Sequence, residues 1–268
     1  MSNDRTPVDD LITAIPGNWE FDAQVASTFE THVRKSIPFY DAVQQLTVEI
    51  SEFFIRDGSV VYDIGSSTGE TLRILSEKHQ NKKDVHFFGI EQSLTMVEEA
   101  KKKNQERSCV SILHQDINKF SAFENADLIL SLYTLNFLPL EKRHRLIQKI
   151  HDDLQVGGAF IFVEKVYGEH SVFQDIWSEI HWDFKRQQNL SDEMVLEKAR
   201  SLRGIMLPMT CKENIRMLRL VGFTTVDVFF KWLNWCGFIA IKMNPNLSGL
   251  NLERSAKQFP EAMEKRNS

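Results

Sequence analysis

The residues best suited to chemistry lie within residues 59–70, where an apolar, β-branched run ends in an acid and two glycines. Asp63 is followed by Gly65 and Gly69 in the spacing Gly-x-x-x-Gly, and a helical pattern begins directly after them. This order is typical of a buried parallel strand that turns tightly into a helix. Glycine permits positive φ angles and lets a ligand approach the backbone closely. The stretch therefore predicts a turn that binds a nucleoside cofactor, with Asp63 as an acceptor and backbone amides as donors.

The form of this turn discriminates between cofactors. It is not a P-loop, because no Gly-Lys-Ser/Thr follows, and it is not GxGxxG, because Ser67 occupies the place of the second glycine. An acid just before the turn would repel a pyrophosphate but would tolerate a sulfonium and an ammonium group. These features favour S-adenosylmethionine, which carries no phosphate and leaves S-adenosylhomocysteine after methyl transfer.

Alternating strands and helices would position this turn. The predicted elements are, in chain order, strand 59–64, helix 69–79, strand 85–90, helix 93–104, strand 109–113, strand 127–132, helix 140–153 and strand 159–163. Such alternation predicts βαβ units, and hence an α/β fold whose parallel sheet has helices on both faces.

The last third of the chain departs from this alternation. Helices are predicted over 170–204 and 211–221, and strands 223–230 and 236–242 lie close enough to form an antiparallel hairpin. The whole pattern divides the chain into three parts. They are an N-terminal helical cap or lid (1–56), a Rossmann-like catalytic domain with a helical insertion at about 168–204 (57–243), and a polar C-terminal tail (244–268).

Open sheets of this class bind ligands at the carboxyl ends of their strands, and acids follow several of the predicted strands here. Glu91 follows the glycine turn at the distance expected of an acid that accepts hydrogen bonds from ribose hydroxyls. Asp116 and Ile117 could pair with the adenine amino group and pack on its ring. The alternative is a sheet of this class whose acids are purely structural.

Composition excludes several other classes of function. The 268 residues carry a net charge of −5, which argues against direct binding of nucleic acid. The three cysteines form no CxxC pair and the histidines show no metal-ligand spacing, so neither a disulfide framework nor a metal site is expected. The polar N-terminus lacks a signal-peptide pattern and no apolar run is long enough to span a membrane. These features predict a cytoplasmic protein without a membrane partner.

Further motifs extend over residues 17–243. They are Gly17-Asn18-Trp19-x-Phe21-Asp22, Ser36-Ile37-Pro38-x-Tyr40, Tyr62-Asp63-Ile64-Gly65-Ser66-Ser67, Thr134-Leu135-Asn136-Phe137-Leu138, Gly157-Gly158-Ala159, Glu164-Lys165 and Asp183-Phe184-Lys185-Arg186. In these motifs the chain resembles the carboxy-S-adenosylmethionine synthase family, bacterial enzymes of wobble-uridine tRNA modification within the class I methyltransferase superfamily.

The resemblance implies a fold, an assembly and a cofactor site. The fold would be Rossmann-like, a mostly parallel seven-stranded sheet with an antiparallel C-terminal hairpin and added N-terminal helices, and the protein would be a homodimer. The implied cofactor residues are Tyr40, Gly65, Ser66, Ser67, Glu91, Gln92, Asp116, Ile117 and, at the end of the fourth strand, Leu132.

Two departures from the family pattern bear on the reaction. The family transfers a carboxyl group from prephenate to S-adenosylmethionine. Where the family pattern has an arginine and an asparagine, this chain has Ala199 and Leu132. Losing both groups predicts a divergent paralogue that methylates a small-molecule acceptor. Carboxy transfer is the alternative, with Arg200 or Arg203 supplying the cation, and a non-catalytic binder of S-adenosylmethionine is a third possibility.

The reacting groups are predicted from their places near the strand ends. Candidates for catalysis are Tyr133, Tyr167, His181 and Glu164. Candidates for substrate binding are Trp19, Trp182, Arg200 and Arg203. Aromatic walls would suit a small, partly apolar substrate.

Overall fold

The computed structural model describes residues 6–9, 12–14 and 23–244 of the chain. Its strands are β1 (Thr6–Asp9), β2 (Ile12–Ala14), β3 (Val60–Ile64), β4 (His86–Glu91), β5 (Val110–His114), β6 (Ala126–Leu132), β7 (Ala159–Tyr167), β8 (Met209–Thr210), β9 (Thr225–Trp232) and β10 (Trp235–Ile241). Its helices are α1 (Ala23–Ser36), α2 (Tyr40–Ser51), α3 (Glu70–Lys78), α4 (Leu94–Lys103), α5 (Leu140–Asp153), α6 (Ser171–Gln187), α7 (Asp192–Ser201) and α8 (Cys211–Leu220).

The central sheet follows the order β5-β4-β3-β6-β7-β10-β9 in the part of the chain that the structure describes. Strands β3 to β7 are parallel to their neighbours, and β10 is antiparallel to both β7 and β9. The two-residue β8 also pairs with β7. This topology confirms the predicted class I fold and its antiparallel C-terminal hairpin. The strand order reverses between β3 and β6, and ligands bind at such a reversal.

Helices cover both faces of the sheet, which is why its strands are so apolar. One face packs against α5 and α8, with Ile147 and Leu218 fully buried. The other face packs against α2, α3 and α4, with Leu72 and Ala100 fully buried. Each helix therefore presents an apolar stripe to the sheet, and this is the periodicity that the sequence displays.

The N-terminal helices lie against the helices that follow the cofactor turn. α1 contacts α4 and α2 contacts α3, and Gln44 Nε2 donates a hydrogen bond to Thr71 Oγ1 at 3.0 Å. A short β1–β2 hairpin, which the sequence did not predict, packs on α7. Its strands of four and three residues are too short to produce a readable alternation.

The helical insertion consists of α6 and α7, and both helices contribute to the cavity described below. Among the described residues, no helix is both long and apolar enough to cross a membrane.

Candidate active site

The turn after β3 has the backbone geometry that the two glycines predicted. Gly65 has a φ angle of 71°, and a Cβ atom at this position would lie 2.3 Å from Thr134 Oγ1. Gly69 has a φ angle of 73° and directly precedes α3. Ser67, between them, also has a positive φ of 50°. Backbone in this region costs a non-glycine residue roughly 1–3 kcal/mol and is found preferentially at ligand sites.

A cavity of about 570 Å³ opens at the reversal of strand order. Its walls come from the ends of β3, β4, β6 and β7, and from α1, α2, α6, α7 and β10. Twelve predicted site residues line it: Tyr40, Asp63, Gly65, Ser66, Ser67, Glu91, Gln92, Ile117, Leu132, Tyr133, Glu164 and His181.

Two carboxylates mark the cofactor half of the cavity. Glu91 accepts hydrogen bonds from the backbone N–H groups of Ser67, at 2.9 Å, and of Gln92 and Ser93, each at 2.8 Å. Burial and the nearby Glu91 carboxylate raise the pKa of Asp63 to about 7. A ligand with positive charge would lower this pKa, because opposite charge favours the ionised acid.

The side chains around these acids fit S-adenosylmethionine. The buried hydroxyls of Ser66 and Tyr133 have no hydrogen-bond partner among the described residues, and buried polar groups of this kind require one. The acidic lining of Asp63 and Glu91 suits a ligand with ammonium and sulfonium groups.

Asp116 lies beside the cavity but does not line it. Its carboxylate accepts from the backbone N–H of Asn118 at 2.9 Å and from the Asn118 side chain at 2.7 Å. The backbone hydrogen bond is the main reason why the pKa of Asp116 is lowered. The neighbouring Ile117 does line the cavity. Pairing of Asp116 with adenine therefore stays a prediction.

Aromatic rings form the wall beside the cofactor turn. The rings of Tyr40 and Tyr133 stack with their centroids 5.5 Å apart, and Trp235 packs edge-on against Tyr133 at 5.6 Å. Tyr133 holds a φ angle of 62°, which is unusual for a bulky residue. Burial raises the pKa of both tyrosine hydroxyls, so both are neutral hydrogen-bond donors.

Three lysines line the far half of the cavity, around His181. They are Lys165, Lys185 and Lys198. Lys198 Nζ donates to Ser36 Oγ at 2.7 Å and to His32 Nε2. No hydrogen bond or ion pair joins the ammonium group of Lys165 or Lys185 to any described residue. Burial, with a smaller effect of Lys165, lowers the pKa of Lys185 to about 7, and burial also lowers the pKa of Lys165.

His181 has both ring nitrogens engaged. Nε2 lies 2.9 Å from the backbone oxygen of Ser36 and must donate to it, while Nδ1 lies 3.3 Å from Asn234 Nδ2 and accepts from it. Burial first, and then the positive charges of Lys185 and Lys165, hold the pKa of His181 well below its ordinary value. This neutral ring suits a positioning role, since taking a substrate proton would require a hydrogen bond to break.

Glu164 organises the loop that follows β6. Its carboxylate accepts from the backbone N–H of Leu135 at 2.6 Å and of Asn136 at 3.2 Å. Burial raises the pKa of Glu164 to about 8, although Arg143 and these amides act in the opposite direction. Asn136 in turn donates from Nδ2 to the backbone oxygen of Lys165 at 2.8 Å. These hydrogen bonds therefore fix the position of the loop after β6 relative to the backbone of Lys165.

Several predicted residues lie away from the cavity. The side chains of Tyr167, Trp182 and Arg203 are exposed to solvent. Arg200 pairs with Glu197 at 2.6 Å. None of these four lines the cavity of the single chain, and Trp19 lies outside the described residues. Their proposed roles in catalysis and substrate binding stay predictions.

The sequence did not identify the lysines as site residues. Lys165 and Lys185 lie within two of the motifs that carry the family resemblance, and these motifs were the available signal.

Across the described part of the chain, no group of three or more His, Cys, Asp or Glu residues is placed to hold a metal ion.

Comparison with known proteins places these features in a family. Residues 61–158 match the model of a methyltransferase domain. The chain is 39% identical over 228 residues to a carboxy-S-adenosyl-L-methionine synthase of Staphylococcus epidermidis, covering 85% of this chain and 98% of that one. It is 34% identical to the enzyme of that name from Sulfurimonas denitrificans, covering 85% and 97%.

Solved structures support the fold independently. Human N-acetylserotonin methyltransferase, in complex with S-adenosylmethionine, aligns with a TM-score of 0.56 at 14% identity, over 83% of this chain and 56% of that one. The fold, the acidic turn at the strand reversal and the similarity over nearly the whole length of these relatives agree. The chain belongs to the carboxy-S-adenosyl-L-methionine synthase family, within the class I methyltransferase superfamily.

Proposed function

We propose that this protein converts S-adenosylmethionine to its carboxy derivative, with prephenate as the carboxyl donor. The observation that carries the proposal is the pair of cavity lysines, the partly buried Lys165 and the buried Lys185, which line the cavity without an anionic partner among the described residues. A buried charge is stable only when it is paired. Prephenate, a dicarboxylate, would supply two negative groups to this half of the cavity.

This proposal reverses the preference drawn from the sequence. Methyl transfer was favoured because Leu132 and Ala199 replace an asparagine and an arginine, so a carboxylate site seemed to be lost. The lysines provide cations that this argument did not count. The most similar relatives named here are also carboxy-S-adenosyl-L-methionine synthases. Both points support carboxy transfer.

The two halves of the cavity would bind different reactants, the cofactor in one half and the carboxyl donor in the other. S-adenosylmethionine supplies a methyl group on a positively charged sulfur, which acidifies the methyl hydrogens. Asp63 and Glu91 would hold the cationic and ribose parts of the cofactor, and Lys165 and Lys185 would hold the donor's carboxylates. The ring C–C bond of prephenate to the transferred carboxyl breaks, and its electron pair expels the ring hydroxyl as hydroxide while the ring becomes aromatic. The methyl C–H bond gives its proton to this hydroxide as water, and the methyl carbon forms the new C–C bond to the carboxyl carbon. Holding both reactants in one closed cavity favours this step, because it removes the entropy loss of encounter and limits competing water.

The decisive experiment is mass spectrometry of the bound ligand, before and after incubation of the purified protein with S-adenosylmethionine and prephenate. Carboxy transfer predicts a cofactor heavier by one carboxyl group. Bound S-adenosylmethionine or S-adenosylhomocysteine that prephenate leaves unchanged would reject the proposal and favour methyl transfer. Binding without turnover of any acceptor would indicate a non-catalytic protein.

Lys185→Met tests the lysine pair directly. Removing one charge-assisted contact of about 1.5–3 kcal/mol should raise KM for prephenate by about tenfold or more, with little change in cofactor affinity. Lys102→Met, an exposed lysine of α4, is the matched control and should behave as the wild type. Equal KM values in both variants would remove Lys185 from the substrate site.

Methyl transfer is the second candidate, and one feature favours it. Leu202, Ile205 and Met206 bring apolar side chains to the cavity wall, and such a wall suits a less polar acceptor. The ligand experiment above discriminates between the two reactions.

We also propose that the protein forms a homodimer through the outer face of α6. Val172, Ile176 and Ile180 stand four residues apart on this helix, so they form one stripe, and all three are exposed in the single chain. The family resemblance implies the same assembly. A contiguous apolar stripe of this kind is typical of a protein interface.

A further inference from the structure

A cluster of two thiols and one ammonium group lies outside the cavity, where α8 meets the C-terminal hairpin. Lys231 Nζ donates to Cys211 Sγ at 3.2 Å, and Lys231 lies directly opposite Cys236 in the β9–β10 register, so that it adjoins both cysteines. All three cysteines of the described chain are free thiols. The proposed reaction uses none of this cluster.

The surroundings of Cys211 stabilise its thiolate. Cys211 is the first residue of α8, whose N-terminus carries partial positive charge. The neighbouring Cys236 thiol and then the hydrogen bond and charge of Lys231 lower the pKa of Cys211, although partial burial and, to a smaller extent, Glu169 act in the opposite direction. The thiolate, not the thiol, is the reactive form of cysteine. Cys211 is half-buried, so small reagents can reach it.

Cys236 is placed to react second. It is fully buried on β10 and lies directly across from Lys231 of β9 in the antiparallel register. Cys211 packs against the same apolar cluster that contains Cys236, on the face of the sheet covered by α5 and α8. Cys109 packs on the opposite face. Oxidation of Cys211 therefore presents an electrophilic sulfur to Cys236 and not to Cys109.

We propose that Cys211 and Cys236 form a peroxide-sensitive dithiol, in which Cys211 is oxidised first and Cys236 closes the disulfide. In the first step the Cys211 thiolate attacks a peroxide oxygen, the O–O bond breaks, and hydrogen peroxide yields a sulfenic acid and water. In the second step the Cys236 sulfur attacks the Cys211 sulfur, an S–S bond replaces the S–O bond, and the hydroxide leaves with the Cys236 proton as water. Two electrons pass from the thiols to the peroxide.

Peptide mapping of the full-length protein after hydrogen peroxide treatment tests this assignment. The expected product is a Cys211–Cys236 crosslink with the loss of two hydrogen atoms, reversed by dithiothreitol. Cys211→Ser should abolish it, whereas the control Cys109→Ser should retain it. In Cys236→Ala, Cys211 should instead accumulate as a sulfenic acid that dimedone traps. Crosslinks to Cys109, or oxidation of Cys109 as fast as that of Cys211, would overturn the proposal.

Lys231→Met tests whether Lys231 activates the Cys211 thiol or only lies close to it. Without the ammonium group, alkylation of Cys211 by iodoacetamide at neutral pH should slow by about tenfold, because the thiolate fraction falls. The mutated side chain is exposed, so folding should not depend on it. An unchanged alkylation rate would show that Lys231 does not activate Cys211.

Discussion

At the scale of single residues, Glu91 holds the turns after β3 and β4 in place before a ligand arrives. Its two carboxylate oxygens offer about four lone-pair positions, and three backbone N–H groups already occupy three of them. One position, on Oε2, stays open to a ribose hydroxyl. Binding both hydroxyls, as the sequence suggested, would require one backbone hydrogen bond to be exchanged.

Glu91→Ala should weaken binding of S-adenosylmethionine by roughly 1–3 kcal/mol, because a charge-assisted hydrogen bond and the support of the turn are both lost. Isothermal titration calorimetry measures this change. Glu98→Ala, on the exposed side of α4, is the control and should bind as the wild type does. Unchanged affinity in Glu91→Ala would exclude Glu91 from the cofactor site.

Asp63 should make cofactor binding depend on pH. Its pKa of about 7 in the ligand-free protein means that a cationic ligand binds more tightly as the pH rises from about 6 to about 8 and the acid ionises. Asp63→Asn should weaken binding and flatten this profile. A variant whose affinity retains the wild-type slope would assign the titration to another group.

The same raised pKa has the opposite effect on stability. The folded protein holds a proton that the unfolded chain releases above about pH 4, so this group's contribution to stability falls as the pH rises towards the folded pKa of about 7. At about pH 8, Asp63→Asn should therefore stabilise the ligand-free protein by about 1–3 kcal/mol, measured by urea denaturation. A destabilised variant would indicate that Asp63 makes a structural hydrogen bond.

Sequence could predict the turn residues but not the lysines. The turn requires glycine at Gly65 because of its φ angle and the close contact with Thr134, and such local demands are visible in the sequence. A lysine is ordinarily a surface residue. Lys185 is buried because α6 crosses the cavity, and that is a consequence of tertiary packing.

At the scale of elements, local signals located the helices well. Helix α5 spans Leu140–Asp153, as predicted, and α8 begins at a capping box in which Thr210 and Glu213 exchange hydrogen bonds. The β9–β10 turn is tighter than predicted, because Trp232 and Trp235 pair with each other as strand residues. Tryptophan itself favours strands, but the polar Lys231 and Asn234 beside the two tryptophans resemble a longer loop in sequence.

Thr210→Ala should destabilise the protein by about 1 kcal/mol, since it removes the hydroxyl that accepts from the Glu213 N–H at 3.2 Å. Thr210→Ser keeps the acceptor and should stay close to the wild type. The free energy of unfolding, from denaturant titration, measures both. Equal losses in the two variants would mean that the methyl group, not the cap, matters.

At the scale of the whole molecule, the exposed stripe on α6 predicts the assembly. Ile176→Glu places a charge in the proposed dimer interface and should shift the protein to a monomer in size-exclusion chromatography with light scattering. Leu220→Glu, at an even more exposed apolar residue of α8, should leave the dimer intact. A wild-type monomer at micromolar concentration would reject the interface.

The cavity draws its walls from both ends of the described chain, from Phe29 in α1 to Trp235 in β10. In polymer terms, a bound ligand acts as a reversible crosslink between the first helix and the last strand. The crosslink closes a long loop of chain. Because the ligand binds only the folded state, its binding free energy stabilises the whole segment between these two elements. Ligand binding should therefore stabilise the chain from α1 to β10 as one cooperative unit.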